Sequence, residues 1–121
     1  MCPLLSIIIP AYNAANFIKQ SLDSIFKQST SENDFEVIII NDGSTDGSQK
    51  IIDQFMSQYD NIKCINKKNG GAAESRNMGM LQATGEYIGF MDSDDYIEPE
   101  MYEALYQAAK KNDVLLMVAH P

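Results

Sequence analysis

One histidine (His120) and two cysteines (Cys2 and Cys64) with no Cys-x-x-Cys spacing leave a zinc site short of ligands. So few thiols also suit a reducing compartment rather than a disulfide scaffold. Basic residues are scarce: 9 Lys and Arg stand against 17 Asp and Glu, for a net charge of -8. That balance argues against nucleic acid as a partner, because phosphate backbones attract Lys and Arg. A diphosphate remains possible if a divalent cation lies between it and the acids. No apolar run approaches the length of a membrane span, and no charged-then-apolar leader precedes the first strand pattern. Repeats and low-complexity tracts are missing as well. The expected location is cytoplasmic, with any hold on the inner face of a membrane made by segments outside this chain.

What the 121 residues do contain is alternation. Leu4 to Ile9 is a short β-branched run stopped by Pro10, and it reads as a buried strand. From Ala14 to Lys27 the residues Phe17, Ile18, Leu22, Ile25 and Phe26 recur at helical spacing. Phe35 to Ile40 is a second buried strand. Asp46 is the expected N-cap of a helix that carries Ile51, Ile52, Phe55, Met56 and Tyr59 on one face. Ile62 to Ile65 is a shorter strand, and Asn69-Gly70-Gly71 breaks the chain before a helix over Ala72 to Gln82. Glu86 to Met91 is the next strand. Pro99 suits the first turn of a helix reaching about Ala109, and Val114 to Val118 is the last strand. The order predicts an α/β fold: a mostly parallel sheet with helices on both faces, Rossmann-like.

In such sheets ligands bind beyond the carboxyl ends of the strands. The unusual polar residues collect there. Asp92-Ser93-Asp94-Asp95 places three carboxylates in four residues directly after an apolar strand. They repel one another unless solvent or a cation intervenes, and oxygen-rich donors of this kind suit Mg or Mn. In an extended Asp-x-Asp the two acids point to one side and Ser93 points away. The alternative is a solvated acidic turn that caps the helix near Pro99, with Asp95 as a capping residue. Asp42 closes the second strand; its carboxylate suits the imide N–H of uracil, or else it belongs to an Asn-Asp-Gly-Ser turn. Thr45, Asp46 and Gly47 read as turn and cap. Arg76 follows a glycine loop that opens a helix and suits a base or a diphosphate, or else a surface ion pair with Glu74 or another acid. Tyr12, after Pro10 and Ala11, suits stacking on a base or ordinary aromatic packing. Lys67 and Lys68 read as solvated.

Taken together these segments resemble family 2 of the inverting glycosyltransferases with the GT-A fold. The matching stretches are Ser6 to Asn13, Val37 to Ser48, Asn69 to Gly79 and Ala83 to Asp95, in the family's order and spacing and over nearly the whole chain. The resemblance implies roles. Asp42 is similar to the family's uracil-binding aspartate, and Pro10, Ala11 and Tyr12 to the wall of the base pocket. Arg76 is similar to the arginine of the family's Ala-Arg-Asn element, although Ser75 stands where alanine is commoner. Asp92 and Asp94 resemble the ends of the Asp-x-Asp motif, with Asp92 near the ribose and Asp94 on the metal, Mn or Mg.

The resemblance further implies a transferase. It would move a sugar from a nucleotide sugar, a UDP-sugar, to a saccharide or lipid-linked acceptor with inversion, as in polysaccharide biosynthesis. In the family a second half carries the acceptor contacts and the general base. None of Glu98, Glu100, Glu103 and Asp113 stands in a recognisable base motif. Residues 1–121 are therefore expected to be the nucleotide-sugar-binding portion, cut after the Asp-x-Asp motif and the following helix and strand. The base is expected beyond Pro121, the fragment alone is expected to be inactive, and its uncovered surface favours self-association. Two alternatives remain. One is a nucleotide-binding module without turnover. The other is a phospho-accepting receiver domain, against which stand the missing acid pair after the first strand and the missing lysine after the last.

Overall fold

The computed structural model describes residues 5–26, 35–93 and 116–119. Among the described residues eight elements follow one another: β1 (Leu5–Ala11), α1 (Ile18–Phe26), β2 (Phe35–Asp42), α2 (Ser48–Gln58), β3 (Ile62–Lys67), α3 (Ala72–Gln82), β4 (Tyr87–Met91) and β5 (Leu116–Ala119). The five strands form one sheet in the order β3-β2-β1-β4-β5. Every pairing is parallel. The helix expected around Pro99 falls outside the described residues.

The period-two geometry of a strand explains why β1 and β2 read as unbroken apolar runs. Leu5, Ile7, Ile9 and Ala11 of β1 pack with Phe35, Val37 and Ile39 of β2 on one face. There they meet Ile18, Leu22 and Ile25 of α1 and Ile52 and Phe55 of α2. The intervening residues, Ile8, Ile38 and Ile40, face the other way and pack with Met78 of α3 and Ala83. Both faces are thus covered, as the alternation predicts. Phe26 and Tyr59 stack with centroids 4.0 Å apart and join the ends of α1 and α2.

Pro10 does not stop β1; it pairs with Ile40 and the strand continues to Ala11. The reason lies on the other side. β1 pairs with β4 only as far as Ile8, opposite Phe90, so at Pro10 the strand has lost one neighbour and tolerates a missing N–H. That parting opens the carboxyl edge of the sheet. It is also where the strand order reverses, since β1, β2 and β3 run one way from the centre and β4 and β5 the other.

A second polar cluster secures the opposite edge. Glu36 is 5% exposed. It accepts hydrogen bonds from Ser6 Oγ at 2.6 Å, Thr84 N at 2.7 Å and Thr84 Oγ1 at 2.8 Å, and it pairs with Lys63 at 3.1 Å. Burial pushes its pKa up, but these donors outweigh burial and hold it below the usual carboxylate value. Helix α3 lies against the sheet at Gly79: a Cβ there would stand 2.5 Å from Ile8 Cγ2.

Candidate functional site

A cleft of about 330 Å³ lies at the carboxyl edge, where β1 and β4 part. Pro10, Ala11 and Tyr12 form one wall, Asp42 and Ala72 a second, and Asp92 and Ser93 a third. Its size is at the lower end of the roughly 300–1,000 Å³ typical of small-molecule sites. Five of the residues singled out in the sequence therefore meet around one space: Pro10, Ala11, Tyr12, Asp42 and Asp92. Arg76 stands beside it, with Nη2 3.3 Å from Asp92 Oδ1. Both side chains of that pair are substantially exposed. Asp94 and Asp95 lie outside the described residues.

The loop after β1 is held rigidly by the loop after β2. Asn13 takes a left-handed backbone, φ 49°, which asparagine tolerates. Its N–H donates to Ser44 Oγ at 3.0 Å and its Oδ1 accepts from Thr45 N at 2.8 Å. Ala14 N donates to Ser48 Oγ, and Ala15 N donates to Asp46. Gly47, not Asp46, occupies the N-cap position of α2, and it has no side chain to cap with. Asp46 does the capping from one residue earlier, accepting Ser48 N at 2.9 Å and Ser48 Oγ at 2.6 Å. Ser21 of α1 donates to the Ser93 carbonyl at 2.7 Å and so ties the start of the acidic turn to the helix behind it.

Asp42 is the most constrained group in the cleft. It is 3% exposed. Oδ1 accepts from Lys67 Nζ at 2.5 Å and from Gly70 N at 2.8 Å, and Oδ2 accepts from Gly71 N at 3.0 Å. Burial pushes its pKa up, but Lys67 and the two amides outweigh burial and keep the carboxyl below its ordinary value. A carboxylate has about four lone-pair positions. Oδ1 is filled, and Oδ2 has room for one more donor.

Three readings need correction. Lys67 is not solvated: its side chain is 6% exposed and bridges Asp42 and Glu74. It directly faces Asp42 in the β2–β3 ladder, a relation of register that the residues cannot reveal by themselves. Phe17 precedes α1 rather than belonging to it, is 50% exposed and lines the cleft near Tyr12 instead of the core. The signal was present: Ile18, Leu22 and Ile25 keep the i, i+4, i+7 stripe, whereas the residue four after Phe17 is Ser21. Met56, assigned to the core face of α2, is 39% exposed.

Among the described residues no group of three or more His, Cys, Asp or Glu side chains is placed to hold a metal ion. Asp92, which lines the cleft, offers carboxylate oxygens, the kind of donor a hard cation takes. Among the described residues no helix is long and apolar enough to cross a membrane.

Comparison with known proteins gives concordant findings. The model of the family described as Glycosyl transferase family 2 matches residues 6–121. The chain is 40% identical over 114 residues to the uncharacterised glycosyltransferase EpsJ of Bacillus subtilis, covering 94% of this chain and 33% of that protein. Among solved structures it is similar to S. aureus TarS 1-349 in complex with UDP-GlcNAc, with TM-score 0.83 and 33% identity over 91% of this chain and 32% of that one. It is also similar to the mannosyltransferase PcManGT of Pyrobaculum calidifontis in complex with GDP-Man and Mn2+, with TM-score 0.79 and 26% identity over 91% of this chain and 32% of the other. The chain thus spans about a third of the length of these proteins.

Proposed function

The chain belongs to glycosyl transferase family 2, and on that premise we propose that it is the donor-binding part of an enzyme that moves a sugar from a uridine diphosphate sugar to a saccharide or lipid-linked acceptor with inversion. The observation that carries the choice of base is the single open lone pair on Asp42 Oδ2. Uracil offers one N–H between two carbonyls, a match for one acceptor. Adenine and cytosine present a ring nitrogen acceptor at the equivalent edge, which an ionised carboxylate repels. Guanine presents two adjacent donors, which suit a carboxylate with both oxygens free. Relatives differ here, since TarS is seen with UDP-GlcNAc and PcManGT with GDP-Man. The local chemistry of Asp42 therefore has to decide.

Tyr12 and Phe17, both half-exposed at the cleft, offer aromatic faces to the base. Arg76 suits the diphosphate, and Asp92 suits a ribose hydroxyl. We assign Asp94 as the holder of a divalent cation, with Asp92 beside it. When bound, such a cation supplies neutralisation of the charge that builds on the departing diphosphate. The two described acids of the cleft are engaged, Asp42 with Lys67 and Asp92 with Arg76. On the resemblance to the family, we assign deprotonation of the acceptor hydroxyl to a base beyond Pro121, in the part of the enzyme that carries the acceptor contacts.

Thermal-shift titration tests the reading. Uridine diphosphate with manganese should stabilise the protein more than guanosine or adenosine diphosphate, and Asp42→Ala should erase that preference while the protein still folds. Equal stabilisation by all the bases, in wild type and variant alike, would remove Asp42 from the site.

A further inference from the structure

Lys67 is the one cation buried at the cleft among the described residues, and the reaction proposed above makes no use of it. Its Nζ touches Asp42 Oδ1 at 2.5 Å, Glu74 Oε1 at 2.9 Å and the Lys68 carbonyl at 2.7 Å. Three acceptors match the three N–H bonds of an ammonium, so the group has no donor left for a ligand. It cannot act on a diphosphate directly without giving one of them up. What it does instead is occupy one oxygen of Asp42 together with Gly70 N, while Gly71 N takes one position on the other.

We propose that Lys67 is a positioning residue for base recognition: by holding Oδ1 it keeps the Asp42 carboxylate ionised and oriented, so that a single acceptor position on Oδ2 reads the nucleobase. The inference rests on the reading of Asp42 as the base contact and adds to it a second residue and a pH behaviour. The charged groups around Asp42 are few. Lys67 comes from β3, Glu74 from α3, and the Arg76–Asp92 pair stands at the rim. The neighbouring wall, Pro10 and Ala11 of β1 and Tyr12 after them, holds no Asp, Glu, Lys or Arg. Without Lys67, burial acts on Asp42 with only two backbone amides against it, and its protonation moves up toward the working range. A protonated Asp42 is no longer an obligatory acceptor for an imide N–H.

The test is calorimetric titration of uridine 5′-diphosphate, with saturating manganese, into the full chain from pH 8 to pH 5. The variants are Lys67→Met, Lys67→Arg and Asp42→Asn. Ionisation of the ligand is common to all and cancels in the ratio of Kd values. The Lys67→Met to wild-type ratio should grow as pH falls, by up to about tenfold per pH unit below the pKa of the released carboxyl. Lys67→Arg, which keeps the charge, should return the ratio toward its value at pH 8. If Lys67→Met does not fold, Lys67→Gln, which removes the charge but keeps an N–H donor, carries the same expectation. A ratio that does not change with pH, whatever its size, overturns the role of Lys67 and leaves Asp42 as the base contact. If Asp42→Asn keeps the wild-type preference for uridine over guanosine diphosphate, the reading of Asp42 fails, and that of Lys67 fails with it.

Discussion

Replacing Gly79 by alanine sets two terms of known size against each other. In a free helix the change is favourable by about 1 kcal/mol, because glycine is the costlier residue in a helix interior. Here the new Cβ would stand 2.5 Å from Ile8 Cγ2, 3.2 Å from Cγ1 and 3.3 Å from Cδ1. Ile8 has 0% exposure and lies in the central strand between β2 and β4, so it has nowhere to swing. Overpacking of this kind costs about 1–3 kcal/mol. The expected net effect is a loss of about 0–2 kcal/mol, or up to about 8 °C in Tm for a chain of this size. Relief would come from moving α3 off the sheet. The loop leading into α3 supplies the Gly70 and Gly71 amides on Asp42, so nucleotide affinity should fall as well. Ile8→Leu removes the Cγ2 branch and alone should cost less than about 1.5 kcal/mol. Combined with Gly79→Ala it should recover part of the loss, a coupling of about 0.5 kcal/mol or more in a double-mutant cycle. The assay is urea unfolding of the four proteins. A Gly79→Ala protein more stable than wild type would show that helix propensity wins and that α3 does not approach β1 this closely.

Two further outcomes follow from the site and its supports. Chelation of divalent cations should weaken uridine diphosphate binding, and Asp94→Asn should abolish the effect of manganese while Ser93→Ala leaves it; an undiminished manganese effect in Asp94→Asn, by calorimetry, would remove the assigned ligand. Glu36 and Asp42 both have folded pKa values below their ordinary ones, so their stabilising contribution is complete above the unfolded carboxylate range, about 4, and is lost as pH falls through the folded values. The urea midpoint should therefore stay level from pH 7 to about 5 and fall below that, and Glu36→Gln should lower the midpoint at pH 7 and flatten the acid slope; an unchanged slope in Glu36→Gln would show that its hydrogen bonds do not carry the effect.

Which residues form strands and helices was legible because that information is local. β-branched runs at Leu5–Ile9 and Phe35–Ile40 and the i, i+4, i+7 stripe of α1 depend only on near neighbours in sequence. The glycine pair before α3 and the turn after it marked the bounds of that helix at Ala72 and Gln82, where the structure has them. Parallel sheets place all carboxyl ends on one edge, so the alternation alone was enough to gather Pro10, Ala11, Tyr12, Asp42 and Asp92 at one cleft.

The tertiary structure decided what depends on register and on which neighbour is missing. Lys67 reads as a surface lysine until the β2–β3 ladder sets it opposite Asp42 and α3 brings Glu74 to its other side. Glu36 reads as the polar residue of an apolar run until Ser6, Thr84 and Lys63, distant in sequence, close around it. Pro10 reads as a stop until β4 is seen to end its pairing at Ile8. Each of these is a contact between segments far apart in the chain. Composition and periodicity determine which faces are buried, but the partner across a strand pair follows only once the sheet has chosen its order and register.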